Sequence, residues 1–391
     1  MRSARRQLIA LALLAAVVLA SLSGCSGSLP AGPSSSAISR VERRMELQFA
    51  EHFSVDYFED GLKMITLSDG SRFLVVPEGG KKPDNLESGV TVLSQPIRAI
   101  YLAATSAMCL FDTLHSLDAV SLSGTKADGW YCENARRAME EGRIQFAGKY
   151  SEPDYELILS SKCGLAVESM MISHAPAVKE KLMELGIPVL VDLSSLEPHP
   201  LGRTEWIKLY AALLDKEEEA ERFFDEQAAF LNEAGRVPNT GKTVAFFFIS
   251  ASGRAVARKS GDYVTKMIAL AGGHYIFEHL GDPGKATSTV ALEMEKFYAT
   301  AREADILIYN STIGGELATL DELIAKNALL SDFKAVKSGD VWCTGKNLFQ
   351  ETTQLGRMIL EIQHILSGNG ADDDHLMFFY KLKRASESRE D

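Results

Sequence analysis

The residues best placed to do chemistry are basic side chains in short loops, because the chain as a whole carries a formal charge of -12. Arg203 follows His199-Pro200-Leu201-Gly202 where a helix is expected to start, and its planar guanidinium could meet a carboxylate or catecholate through two parallel hydrogen bonds. The same side chain could equally lock its own loop to Glu197 or Glu205. Arg254, Arg258 and Lys259 fall in an expected hairpin, where strand alternation puts Arg254 and Arg258 on one face; a solvated hairpin edge is their plainer use. Lys346 stands just before Phe349. Trp130 and Tyr131 lie in a glycine-flanked loop, Tyr150 precedes a proline-containing turn, and Met170-Met171 follows a strand, where a methionine pair also serves as core filling. His174 carries an imidazole able to bind a transition metal, but no second ligand is readable beside it, and a helix-capping role accounts for it as well.

Several chemistries have no footing. There is no GxSxG, HExxH, P-loop or CxxC pattern. Cys109, Cys132, Cys163 and Cys343 make no Cys/His metal spacing; spacing alone pairs none of them, and buried free thiols are the expectation. A receptor for a free transition-metal ion would want several histidines converging, whereas the chain has eight scattered ones. An extracytoplasmic enzyme working in a cleft is the other alternative, and only the two-lobed outline speaks for it.

The N-terminus is the most specific signal. A basic MRSARR precedes an apolar run, LIALALLAAVVLASL, too short and wrongly flanked for a spanning helix, so residues 1–24 read as an export signal. It ends in Leu22-Ser23-Gly24-Cys25, which resembles the lipobox of bacterial lipoproteins and implies a lipid on Cys25. Residues 25–39 then form a flexible polar tether. A diacylated cysteine suffices for stable membrane anchoring. Without the signal, which carries three arginines and no acid, the formal charge is -15, which argues against nucleic acid as a partner.

What positions the loops is an alternation of strands and helices on either side of one stretch, Asp215–Gly235. Ala220, Phe223, Phe224, Ala228 and Leu231 fall on one face of a 3.6-period helix and acids crowd the other, giving a helix roughly 30 Å long. Residues 40–56 are expected as a lead-in helix, followed by a hairpin turning at Asp69-Gly70. A strand at Val90–Leu93, a helix at Arg98–Leu114 and further alternation to Asp192 make a first lobe, residues 40–202. Residues 203–236 connect it to a second lobe, 237–391. The fold class is α/β: two lobes, each with a mainly parallel sheet flanked by helices, joined by one long rigid helix. In such sheets ligands meet the loops at the strand carboxyl ends. Those loops are expected at Thr105–Ala107, Gly124–Tyr131, Glu168–His174 and Ser194–Arg203, and at Ser250–Arg254, Gly281–Thr289, Asn310–Glu316 and Thr344–Gln350.

Phe146–Leu159 (FAGKYSEPDYELIL), the Gly164–Glu168 strand, Leu185–Val189, Leu201–Lys208 (LGRTEWIK), Ala271-Gly272-Gly273, Asp305–Tyr309 and Gly339–Trp342 occur in an order and spacing that resembles one family. It is the substrate-binding proteins of ABC importers for ferric siderophores, haem and cobalamin, the group whose lobes are joined by a rigid helix. The resemblance covers about residues 70–366. It implies capture of a bulky metal chelate between the lobes, no catalysis and no resident cofactor. It further implies delivery to an ABC permease dimer with its ATPase subunits, by a protein expected as a monomer held to the membrane through its N-terminal lipid. On this resemblance the ligand-contact candidates are Trp130, Tyr150, Met170, Met171, His174 as an axial ligand, Arg203, Arg254, Arg258, Lys346 and Phe349. The resemblance also implies one permease-docking acid per lobe. Glu156 matches that position in the first lobe; in the second, Asp262 stands near it but is Asp for the usual Glu and one residue short in its spacing to Gly273.

Overall fold

A computed structural model of the chain describes residues 39–236, 238–282, 289–368 and 375–385. Cys25 and the tether lie outside these, as does most of the expected loop 281–289. An N-terminal sheet comes first: β1 Val41–Arg44, β2 Phe53–Phe58, β3 Lys63–Leu67, β4 Arg72–Val76 and β5 Val90–Ser94 pair in that order, antiparallel until β5 joins β4 in parallel. The Asp69-Gly70 turn joins β3 to β4. Gly70 holds φ +87°, and the Asp69 carboxylate accepts from the Ser71 N–H at 2.9 Å.

The expected helix over 40–56 is not formed. Residues 48–52 are instead a loop whose backbone is satisfied from afar. Glu205 accepts from the N–H groups of Gln48, Phe49 and Ala50, and Glu197 from those of Glu51 and His52, at 2.8 to 3.1 Å. Two buried carboxylates thus replace an intrahelical ladder, and a sequence pattern carries no sign of partners 145 residues away or more.

The first lobe's own sheet has the order β12-β11-β6-β7-β8 and is parallel throughout. Its elements are β6 Ile100–Leu102, α1 Met108–Thr113, β7 Val120–Ser123, α2 Glu133–Glu140, β8 Gln145–Phe146, a small ribbon of β9 Gly148–Lys149 with β10 Glu152–Pro153, α3 Tyr155–Ser160, β11 Ala166–Ser169, α4 Pro176–Glu184 and β12 Val189–Asp192. The apolar run at 98–114 therefore holds a strand and then a helix, where one helix was expected. A parallel strand covered on both faces reads as an unbroken apolar run, so periodicity cannot separate it from a buried helix. Likewise Val90–Leu93 joins the N-terminal sheet, not this one.

Helices α5 Pro200–Glu205 and α6 Ile207–Leu214 lead to α7 Glu217–Ala234, the long helix, with Glu217, Glu218 and Glu219 in its first turn, where the helix dipole favours acids. Ala220 and Phe223 of α7 belong to the first lobe's core and Leu231 and Ala234 to the second's, so this one helix is built into both.

The second lobe contains β13 Thr243–Ile249, β14 Ala255–Arg258, α8 Tyr263–Leu270, β15 His274–Tyr275, β16 Thr289–Leu292, α9 Met294–Ala301, β17 Ile306–Tyr309, α10 Ser311–Gly314, α11 Leu320–Lys326, α12 Lys334–Ser338, β18 Val341–Thr344, α13 Leu355–Ser367 and β19 Phe379–Lys381. Strands β13, β17 and β18 form a parallel centre, widened by antiparallel β14, β16 and β19. Helix α13 lies on α7. A Cβ on Gly356 would stand 2.4 Å from the Gln227 carbonyl oxygen, so this glycine sets the approach of the two helices.

Candidate functional site

The lobes meet where loops leave the carboxyl ends of β7 and β18. Trp130 pins the first loop: its ring is 1% exposed and its Nε1 donates to the Ser123 Oγ at 3.1 Å. Trp130 is therefore core, which corrects its expected place among ligand contacts. On either side of it the backbone faces the other lobe. Gln350 Nε2 donates to the Gly129 carbonyl and Gln350 Oε1 accepts from the Tyr131 N–H, both at 2.8 Å. Tyr131 itself is exposed and stands near Lys346, whose ammonium pairs with Glu316 at 2.7 Å.

Cations lie over aromatic rings on both sides of this junction. In the first lobe the Lys126 ammonium is 5.6 Å from the centre of the exposed Phe146 ring. In the second the Arg258 guanidinium is 4.9 Å from that of Phe349. Arg203, on α5, places its guanidinium 4.1 Å from the ring centre of Tyr263, the first residue of α8, so this stack ties the start of the connecting segment to the second lobe. Behind it the Thr204 hydroxyl donates to the Thr352 carbonyl at 2.8 Å.

Asp262 does not have the exposed position expected of a docking acid. It is 6% exposed, accepts from the Val264 N–H as the cap of α8, and is ion-paired to Arg258, itself 7% exposed, at 3.2 Å. Burial pushes its carboxyl above the usual range, while Arg258 and Arg203 pull it down. Glu156, by contrast, is exposed in the first turn of α3, just after the Asp154 cap.

The remaining candidates separate. Arg254 pairs with Glu293 at 2.9 Å and donates to the Ala291 carbonyl, which ties β14 to β16. Tyr150 is half-buried in its turn and His174 is exposed. Met170 is half-buried and lines a groove of about 540 Å3 with Ile172, Met183, Val191, Leu193 and Leu196, all from the first lobe; its neighbour Met171 is 47% exposed. The expected contacts brought to the junction are thus Arg203, Arg258, Lys346 and Phe349. Sequence reasoning missed Lys126, Phe146 and Gln350, since a lone Lys, Phe or Gln in a loop has no spacing signal. Glu197 and Glu205 do not hold Arg203; both serve the 48–52 loop.

Beneath the junction, Asp112 of α1 accepts from the Asn134 amide and the Cys132 thiol, and it faces Glu351. Burial, with Asp112 adding to it, raises the Glu351 carboxyl. Cys109, Cys132 and Cys343 are buried free thiols and Cys163 a half-buried one. Among the described residues no group of three or more His, Cys, Asp or Glu is arranged to hold a metal ion, and no helix is long and apolar enough to cross a membrane.

Similarity to known proteins follows the same outline. An uncharacterized lipoprotein, MJ0878, of Methanocaldococcus jannaschii is 25% identical over 96% of both chains. The periplasmic haem-binding protein HutB of Vibrio cholerae has a similar fold, with TM-score 0.55 at 17% identity over 68% of this chain and 98% of that one. So does the ABC-type Fe3+-hydroxamate transport protein of Saccharomonospora viridis, with TM-score 0.53 at 16% identity over 71% and 94%. The family model described as periplasmic binding protein matches residues 109–348, more than half the length, and with its two α/β lobes and joining helix the chain belongs to that family.

Proposed function

We propose that the chain is a lipid-anchored, non-enzymatic receptor that captures a bulky metal chelate, a ferric siderophore, haem or a corrinoid, between its lobes and hands it to an ABC permease. The observation that carries this reading is the pair of cation-covered rings at the strand ends, Lys126 over Phe146 in one lobe and Arg258 over Phe349 in the other. In a protein of net charge -12 the exposed Lys126 supplies local positive charge, and Phe146 with the half-buried Phe349 supplies flat apolar area, the Arg258 charge being met by Asp262; the combination suits a large chelate bearing anionic oxygens. Anchoring rests on the Leu22–Cys25 lipobox and accords with the lipoprotein relative. Exposed Glu156 is the residue proposed to dock the first lobe on a basic permease group; Asp262 is not proposed for the second.

Titrating the purified chain with haemin, a ferric hydroxamate chelate, cyanocobalamin and zinc while following tryptophan fluorescence tests the reading. One of the three chelates should give saturable one-to-one quenching. Saturable binding of zinc alone would replace the chelate receptor with a metal-ion receptor.

A further inference from the structure

We propose that Gln350 is a clasp between the lobes that governs how long a captured chelate stays in the cleft. The inference rests on the receptor reading for its ligand, but its geometry stands independently. One side-chain amide satisfies two backbone groups of the opposite lobe, the Gly129 carbonyl and the Tyr131 N–H, each at 2.8 Å. The groups it grips cannot follow it if it withdraws, because Trp130 between them is locked into the first lobe's core and hydrogen-bonded to Ser123. Gln350 is fixed in turn: its own N–H donates to the Asn347 carbonyl, and Leu348, two residues before it, is buried in the second core.

The clasp also works against a load. At the same seam the next residue, Glu351, is largely buried, and this burial first, with the like charge of Asp112 of the first lobe adding to it, raises its carboxyl. On this proposal the seam is closed while the amide is engaged and parts once it lets go. For a chelate held between the lobes beside loops 124–131 and 344–350, the proposed grip acts on release more than on capture.

The test uses the Tyr131 amide as a reporter that needs no ligand. In Gln350→Ala its hydrogen exchange should quicken at least about tenfold, while amides inside β7 and β18 keep their wild-type rates. Gln350→Glu, which keeps the acceptor for Tyr131 but loses the donor to Gly129, should fall between. Dissociation of whichever of haemin, ferric hydroxamate or cyanocobalamin binds should accelerate by a similar factor in Gln350→Ala. It should slow in Glu351→Gln, where the repulsion is removed. Unchanged Tyr131 exchange in Gln350→Ala overturns the clasp; faster exchange with unchanged ligand release overturns its control of residence. If none of the three chelates binds wild type, the receptor reading falls and the residence role with it, whereas the exchange result still decides whether the lobes are clasped.

Discussion

The guanidinium of Arg203 lies 4.1 Å from the centre of the Tyr263 ring, so the start of the connecting segment presses a cation onto the first residue of a second-lobe helix. The contact sits beside Asp262 and Arg258, which makes it part of a mixed-charge cluster at the lobe junction. Arg203→Ala should lower the unfolding free energy by about 1–2 kcal/mol, the range for a cation over an aromatic ring out of water. An unchanged urea midpoint would show that the stack contributes nothing.

Asp262 and Glu156 should behave oppositely. Removing Asp262 leaves Arg258 buried without its counter-charge, and breaking such a pair costs about 3–5 kcal/mol, so Asp262→Ala should be severely destabilised. Glu156 is exposed and has no ion-pair partner among the described residues, so Glu156→Lys should cost no more than about 1 kcal/mol through the helix dipole. Equal thermal shifts in the two variants would contradict this division.

Glu168 gives the protein a pH-dependent weakness. It is fully buried at the end of β11, neither carboxyl oxygen has a hydrogen-bond partner, and burial pushes its pKa up to about 8 from 4.5. The folded value lies above the unfolded one, so its contribution is intact below pH about 4.5 and is lost progressively as pH rises to about 8. At pH 7 the loss amounts to about 3 kcal/mol. Glu168→Gln should flatten stability against pH across that window. A wild-type slope persisting in the variant would place the effect elsewhere.

Gly356→Ala should destabilise by about 1–3 kcal/mol, because the new methyl meets the Gln227 carbonyl at 2.4 Å and α7 and α13 must part to admit it. A neutral change in melting temperature would mean that α7 and α13 slide freely.

The sequence was informative where one element satisfies its own backbone. The Ala220, Phe223, Phe224, Leu231 face of α7, the Asp69-Gly70 turn and the bounds of α2 are all legible, since periodicity, turn chemistry and capping are local. It was silent where partners lie far apart in the chain. The 48–52 loop depends on Glu197 and Glu205, and β6 is hidden in a run apolar on both faces. The same limit applies to the site. Arg258 and Phe349 were visible as residue types, but that one covers the other, that Trp130 faces inward, and that Asp262 is consumed by an ion pair are facts of assembly.

The most direct test of the central claim is the position of the metal in crystals of the chelate-loaded protein, read from its anomalous scattering. The account predicts a single strong peak between loops 124–131 and 344–350, within reach of a chelate touching Phe146 and Phe349. A peak in the first-lobe groove beside Met170 and Met183, or at the surface away from both loops, would contradict it.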